Sequence, residues 1–581
     1  MVLLDRLCGL ESELAIRAEP GRFRGHAWRR IAFGQFVQQL SNFTPWASAY
    51  QAKEGIFLAN GGAIWFEGER VASGSGLIEL STPECRGPRQ LLTYQRAMEQ
   101  LARISADPVG LSLIKNDRDS RDAIYGGQEN YEAETGSAVG LWIWRTGLVC
   151  LTPLILVCWL CVLFTLVLLL LYYIASGILI AITRIFSGYR SSRLASVFWG
   201  SDLATGISGG AIMPGWLEGI LVRVSTVITA PLAWLLLCLA RWTVFRQTRR
   251  QLTPFLVSRV ILAGSGMVDQ ESHFYLADKA PAVNCVVGFS GFVGARPIYG
   301  MGHFFKSACV ESFYNWREFV ALFRPRQRLQ IAVGDSNMAE TAEFLKVGAT
   351  LLVLDAIEAG YMDQAPVLAH PIRALHAIAA DATLQKRVRD VRGKYWRATD
   401  VQQWYLSACQ RFVDEQAEEV SDEVIQVLTA WDNSLNALRD YSENPKENMA
   451  LIGVLDWPTK RYLLDQVGSG VSWQVKKKID LRYHELSERG YYETIRQAGL
   501  VSHVVDETSI ELAMRWPPSD TPAALRGRSI REFTGGDTRI SANWHDVIIR
   551  SGRTRRRIRL ISSRTRSPRI RSKIRPRHFR D

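Results

Sequence analysis

The chain has 581 residues, room for three to four average domains or for one large domain with additions. A composition of 47% hydrophobic and 22% charged residues is globular, which excludes wholesale disorder, a collagen-like fibre and a disulfide miniprotein. The net charge of +13 is carried by the C-terminus: residues 550–581 hold 13 Arg and one Lys against one Asp, so residues 1–549 sum to zero and do not form a nucleic-acid-binding body.

Residues 9–17 read as a strand, with Glu11 and Glu13 on one face and Leu14 and Ile16 toward the core. Asp5, Arg6, Glu11 and Glu13 interrupt any apolar run there, so no signal peptide is expected. Residues 55–67 read as a hairpin: Ile56-Phe57-Leu58 leads into Asn60-Gly61, taken as a two-residue turn with both positions at positive φ, and Ala63 to Phe66 leads out. A strand is expected at 77–80 and a helix at 88–104. Another strand covers 328–333, ending in Gly334-Asp335-Ser336-Asn337, where Asp335 and Asn337 either face a ligand or cap the helix over 339–360. Further helices are expected at 399–415, 422–441 and 458–467. The pattern predicts an α+β fold, a concave and mostly antiparallel sheet with helices on one side.

Between Arg145 and Arg184 lie 38 uncharged residues, and a second apolar stretch covers 224–240. A bilayer core of about 30 Å needs about 20 helical residues. Two spans are expected, about 147–175 and 222–242, with both ends cytoplasmic; Arg246, Arg249 and Arg250 favour that orientation. The alternative is a buried core hairpin. The nine cysteines are odd in number and irregularly spaced, so they are expected to be reduced, and Cys158 and Cys161 to pack in the membrane. The resulting division is 1–138, an inserted membrane block 139–250, 251–479, a small C-terminal domain 480–549 and a disordered Arg tail 550–581 that suits anionic lipid.

Glu11 and Glu13 are two apart, so on a strand both carboxylates point the same way. With Glu79 on a later strand and Glu129 in Glu129-Asn130-Tyr131, four acidic residues from three segments could converge and hold a divalent cation. Spacing alone equally allows a solvated strand face. Gly264-Ser-Gly266 is a turn rather than a dinucleotide fingerprint, and no histidine pair has zinc-ligand spacing.

The local words carry more. Gly9-Leu-Glu-Ser-Glu13, Phe57-Leu-Ala-Asn-Gly61, Glu79-Leu-Ser-Thr-Pro-Glu-Cys85, Lys115-Asn116, Tyr125-Gly126, Glu129-Asn-Tyr131, Thr253-Pro-Phe255, Val333-Gly-Asp-Ser-Asn-Met-Ala-Glu-Thr341, Leu455-Asp-Trp-Pro458 and Leu525-Arg-Gly527 occur in one order along the chain. In these words the chain resembles the Pup ligases and Pup deamidases/depupylases, the proteasome accessory factors related to glutamine synthetase. The resemblance implies a glutamine synthetase-like fold that binds ATP and Mg2+. It also implies chemistry at the terminal Glu or Gln side chain of a Pup-like modifier, forming or hydrolysing an isopeptide bond, with pupylated substrates or the proteasome as further partners. By the same resemblance Glu11 and Glu79 match metal-binding carboxylates, Thr82 and Trp544 match ATP contacts, and Glu67 takes the place of the catalytic aspartate. Glu13 and Glu129 are further candidates in the acidic cluster.

The chain departs from the family pattern at several positions. Ala63, Trp65 and Glu67 stand where arginine, tyrosine and aspartate are usual, and Gln128 and Gln330 where histidine is usual. The segment expected before Arg328 is not recognisable in 299–327. Two readings follow: a membrane-tethered, ATP- and Mg2+-dependent enzyme of the Pup system with its domain on the cytoplasmic side, or a catalytically degenerate membrane adaptor that keeps nucleotide or Pup binding. Specific nucleic-acid binding is not expected.

Overall fold

Alternation along the first strand decides which way the sheet faces. In β1 (Leu7–Ala18), Cys8, Leu10, Ser12, Leu14 and Ile16 are buried, while Glu11 and Glu13 lie on the opposite, partly open face. The protein is described from a computed structural model over residues 2–23, 28–50, 53–68, 76–186, 194–195, 197–199, 214–416, 419–444, 449–468, 470–535 and 537–560. The other strands of its main sheet are β2 (Trp46–Ala49), β3 (Gly55–Leu58), β4 (Ala63–Glu67), β5 (Leu77–Ser81), β6 (Cys85–Arg86), β7 (Leu111–Ile114) and β8 (Gln128–Glu134). After the apolar helices come β9 (Cys285–Gly288), β10 (Pro297–Gly300), β11 (Arg326–Ile331), β12 (Thr538–Ala542), β13 (Asp546–Ser551) and β14 (Thr554–Arg559).

These 14 strands run in the order β9-β10-β11-β8-β1-β5-β4-β3-β2-β12-β13-β14, with β6 and β7 also paired to β1. Only β9–β10 and β12–β2 are parallel. The expected mostly antiparallel sheet with helices is therefore the observed fold. Helices α1 (Trp28–Leu40) and α2 (Pro88–Ala106) cover part of the sheet, and further helices include, in chain order, α3 (Ala138–Phe186), α4 (Gly215–Thr243), α5 (Arg246–Ser258), α6 (Glu340–Ala359), α7 (Ala398–Gln416), α8 (Asp422–Glu443), α9 (Asp456–Gln466), α10 (Trp473–Tyr483), α11 (Glu507–Arg515) and α12 (Pro522–Phe533). α6 is apolar nearly all round and buried from Glu340 to Ile357, the pattern of a central core helix.

The structure corrects three expectations. The β3–β4 hairpin has Ala59 to Gly62 between its strands, and Gly61 (φ +88°) is at positive φ while Asn60 is not; Asn60 instead turns its side chain inward, accepting from the Gly62 N–H and donating to the Ala513 carbonyl. The boundary near 480 falls inside α10, and β12 extends the main sheet through β2. Residues 550–559 are not a tail: β14 pairs with β13, and Arg557 binds Asp546. The rest of the Arg-rich segment, 561–581, lies outside the described residues.

α3 and α4 are long apolar helices of 49 and 29 residues, packed antiparallel with Gly147 beside Leu239 and Cys158 beside Ile228. Their roots are built into the domain. The Trp144 indole donates to the Leu322 carbonyl (2.8 Å), Trp159 to Cys309 (2.9 Å) and Arg241 to Val287 (2.9 Å). Arg249, one of the three arginines read as an orientation signal, is buried and donates to the last carbonyls of α4. All nine cysteines are free thiols, as expected.

Candidate active site

Sheet register sets two rows of side chains across the open face. Glu13 lies opposite Glu79, which lies opposite Trp65; Glu11 lies opposite Ser81, which lies opposite Ala63. Glu67 ends β4 on the same face. One carboxylate oxygen from each of Glu13, Glu67 and Glu79 lies within 4.8 Å of the other two. Burial pushes the Glu79 carboxyl up to about 7, with the charge of Glu67 adding to the rise and Lys53 opposing it. Burial also raises Glu67, helped by Glu13, and raises Glu13, where the Gly126 N–H opposes it. The Lys53 ammonium is hydrogen-bonded to Glu79 and lies 3.6 Å from Glu67.

The other candidate residues are placed differently. Glu11 shares the face with Glu79, one row over, and accepts from Asn130 (3.1 Å) and Arg328 (2.9 Å). Ser81, in the Glu11 row, links it to the other row: the Trp65 indole donates to its hydroxyl (3.2 Å), which donates to Glu79 (3.4 Å). Glu129 is not in the cluster. It lies opposite Leu10, so alternation turns it to the helix layer, where Arg259 holds both its oxygens (2.5 and 2.8 Å) and Tyr131 donates at 2.7 Å. Thr82 is buried and its hydroxyl accepts from the Leu10 N–H at the strand end. Trp544, in the β12–β13 turn, packs edge-on to Phe57 with the Arg526 guanidinium 4.7 Å from its ring. Phe57 in turn packs edge-on to Trp65, so an aromatic run links this turn to the carboxylates.

Sequence reasoning missed Lys53 and the supports of Glu13. Gly126 donates to Glu13 (2.8 Å), and the loop that presents it is tied down by Asp117, which accepts from Gly127 N, Ser336 N and the Ser336 hydroxyl. Asp335, in turn, accepts from Ser265 N, Asp278 N and Lys279 N, and Lys279 reaches the Gly127 carbonyl (2.5 Å). Asn337 donates to Ala263 O and Asp456. Asp335 and Asn337 therefore neither cap α6 nor face the cluster; they knot the chain behind it. Gly126 has φ +107°, and a Cβ there would lie 1.5 Å from Asp117 Oδ1. Gly126→Ala is expected to destabilise the fold by about 2 kcal/mol or more, read as a lowered melting temperature.

The departures have visible consequences. Ala63 and Trp65 are both buried, and the two glutamines pair, Gln330 donating to Gln128. Residues 302–321 form short helical segments between β10 and β11, and Glu318 on one of them meets His545 beside Trp544 (3.5 Å). The face as a whole gathers hard oxygen ligands next to one partly exposed carboxylate, Glu67, an arrangement that can hold a cation and exchange a proton.

The family described as Pup-ligase protein matches residues 26–548. Among curated proteins, the depupylase of Acidothermus cellulolyticus is 31% identical over 319 residues, 53% of this chain and 59% of that protein. The Pup deamidase/depupylase of Mycolicibacterium smegmatis is 30% identical over 325 residues (54% and 60%), and the Pup–protein ligase of Acidimicrobium ferrooxidans 33% over 302 (50% and 61%). The matches thus span about three-fifths of these relatives' length. Among solved structures, the ligase PafA in complex with Pup has a TM-score of 0.62 at 20% identity, covering 96% of this chain and 89% of that one. PafA in complex with ADP gives 0.58 at 19%, covering 92% and 89%. At such identities these two structures speak for the fold.

Proposed function

The chain belongs to the Pup-ligase protein family, and from that premise we propose that it is a membrane-tethered enzyme of ATP-dependent chemistry at the terminal Glu or Gln side chain of a Pup-like modifier. The observation that carries this reading is the convergence of Glu13, Glu67 and Glu79 within 4.8 Å on the open sheet face. Carboxylates buried together repel unless a cation joins them, and a set of hard oxygens suits Mg2+. The residues present fit that ion: Glu79 and Glu13 face each other across paired strands, and Glu11 stands one row away. When bound with a nucleotide, such an ion supplies neutralisation of charge on the phosphoryl group in transit.

Glu67 has the role of proton acceptor. Its side chain is 44% exposed where that of Glu79 is 11%, although its Oε2, the oxygen nearest Lys53, is itself buried. It takes the proton from the nucleophile as it attacks the modifier's γ-carbonyl carbon: an amine would expel phosphate from a γ-carboxylate phosphorylated by ATP, and water would expel the lysine amine or ammonia of the amide, which leaves carrying a proton. Trp544 and Thr82 remain the proposed nucleotide side of the site, with the aromatic run through Phe57 supporting Trp544.

The tether is α3 with α4. Leu160, Phe164, Leu168, Leu171 and Ile178 of α3 are exposed apolar side chains, as are Val222, Val227 and Leu235 of α4. A free surface of that kind suits lipid. Tyr172 of α3 packs edge-on to Trp216 at the start of α4, so the two helices run side by side from there to their roots. The ligase-like domain stands on the cytoplasmic side, where Pup and pupylated proteins are available.

The purified chain is expected to bind ATP with Mg2+ and to turn it over, or to deamidate or release Pup, when a Pup-like peptide is supplied. Glu67→Ala is expected to lower that rate about 10²-fold or more while leaving ATP binding in place. A second reading, a non-catalytic adaptor, is favoured by Ala63 and Trp65 on the face itself. ATP binding without turnover, unchanged by Glu67→Ala, decides for it.

A further inference from the structure

Lys53 is a cation already present among the carboxylates. It lies two residues before β3, and its side chain crosses the end of that strand toward β4 and β5. The ammonium is hydrogen-bonded to Glu79 Oε2, lies 3.6 Å from Glu67 Oε2, and stands 5.7 Å from the centre of the Trp65 ring. Glu79 and Glu67 are two of the three carboxylates of the cluster. The third, Glu13, is held from the other side by the Gly126 N–H at 2.8 Å.

We propose that the Lys53 ammonium is a tethered counter-cation that takes the place of a divalent ion on the Glu67–Glu79 side of the cluster, so that metal binds there only by displacing it. The inference rests on the metal-dependent reading of this site and says how that site is regulated. A divalent ion bound by Glu79 and Glu67 needs oxygens at about 2.1 Å, and the ammonium already occupies the approach to both. The two cations cannot share one carboxylate pair without strong repulsion at such a separation. The lysine side chain lies beside the Trp65 ring and is 30% exposed, so it has a way out to solvent when displaced. An acceptor lysine or a nucleotide-bound ion therefore enters a site whose negative charge is already offset in part by one ammonium.

The test is Mn2+ binding to the full chain in detergent micelles, measured calorimetrically in Mg2+-free buffer without nucleotide. Lys53→Met is expected to bind Mn2+ about tenfold tighter than the unaltered chain, because it removes a competing charge and leaves the carboxylates uncompensated. Lys53→Arg keeps the charge and is expected to behave as the unaltered chain does. A thermal melt of the same samples gives a second readout: without metal Lys53→Met is less stable, and Mn2+ restores it by a larger shift than in the unaltered chain. Equal or weaker Mn2+ binding by Lys53→Met, or a melt indifferent to metal, overturns the proposal. ADP binding and Pup-dependent turnover are scored separately. Intact turnover with unchanged metal affinity sinks the lysine's role alone, and tighter Mn2+ binding by Lys53→Met without turnover by the unaltered chain sinks the enzymatic reading alone.

Discussion

Arg259→Met is expected to destabilise the protein by about 3–5 kcal/mol, a large fraction of the stability of a typical domain. The guanidinium is 3% exposed and binds both oxygens of Glu129, the Lys346 carbonyl (2.9 Å) and the Thr350 hydroxyl (2.6 Å). Removing it leaves a buried carboxylate with Tyr131 as its remaining donor, and an uncompensated buried charge costs more than a buried ion pair gains. The double replacement Arg259→Met with Glu129→Met removes both charges and is expected to recover much of the loss, measured by chemical or thermal unfolding. Glu129→Gln also discriminates between the two faces of the sheet. It is expected to change stability and to leave Mn2+ binding at the Glu13–Glu67–Glu79 cluster unchanged. A loss of metal affinity in Glu129→Gln with the fold intact contradicts the placement of this residue behind the sheet.

The same residue marks where sequence reasoning stops. Alternation fixed the face of Glu11 and Glu13 because β1 is long and its buried positions are apolar. The same rule, applied within β8, puts Glu129 opposite to its neighbours Gln128 and Asn130. What spacing does not reveal is the strand register, and it is the pairing of Leu10 with Glu129 that sends the carboxylate to the helix side. Glu67 and Glu79 were legible as words near a hairpin. That their oxygens meet depends on Trp65 pairing with Glu79, a long-range fact. Lys53 was illegible for the same reason: it precedes its strand, and nothing local shows it leaning over the next two. Asp335 and Asn337 looked like a helix cap because they precede α6. Their partners are Ser265, Asp278, Lys279, Ala263 and Asp456, brought there by the fold and absent from the local sequence. The apolar runs, by contrast, marked two apolar helices without any partner, since length and lack of charge are read locally, but α3 and α4 extend past both ends of the expected 147–175 and 222–242.

What those runs do not declare is how deeply they are rooted, and two excisions separate the root from the distal hairpin. Cys158 lies beside the Ile228 carbonyl, so residues 160–227 can be replaced by a short Gly/Ser turn with little strain. The Phe245 N–H donates to the Thr135 carbonyl at 2.6 Å, so the complete block 138–243 can be bridged as easily. Geometry therefore favours neither excision. Burial separates them. Trp144, Leu148, Ile155, Leu232, Leu236, Leu237 and Ala240 are buried in the same apolar cluster as α5 and α6. The larger of these side chains stabilise by about 1.5–3 kcal/mol each, a total comparable to the roughly 5–15 kcal/mol that typically holds a domain together. Complete excision also strips the Leu322, Cys309 and Val287 carbonyls of the donors they have from Trp144, Trp159 and Arg241. The distal excision is expected to leave a cooperatively unfolding protein that shifts from the membrane to the soluble fraction and still binds ATP. The complete excision is expected to yield aggregated or molten chain, read by size-exclusion chromatography and near-ultraviolet circular dichroism. A complete excision that folds as well as the distal one shows that the helix roots are an appendage, and a distal excision that stays with the membrane shows that α3 and α4 are not the tether.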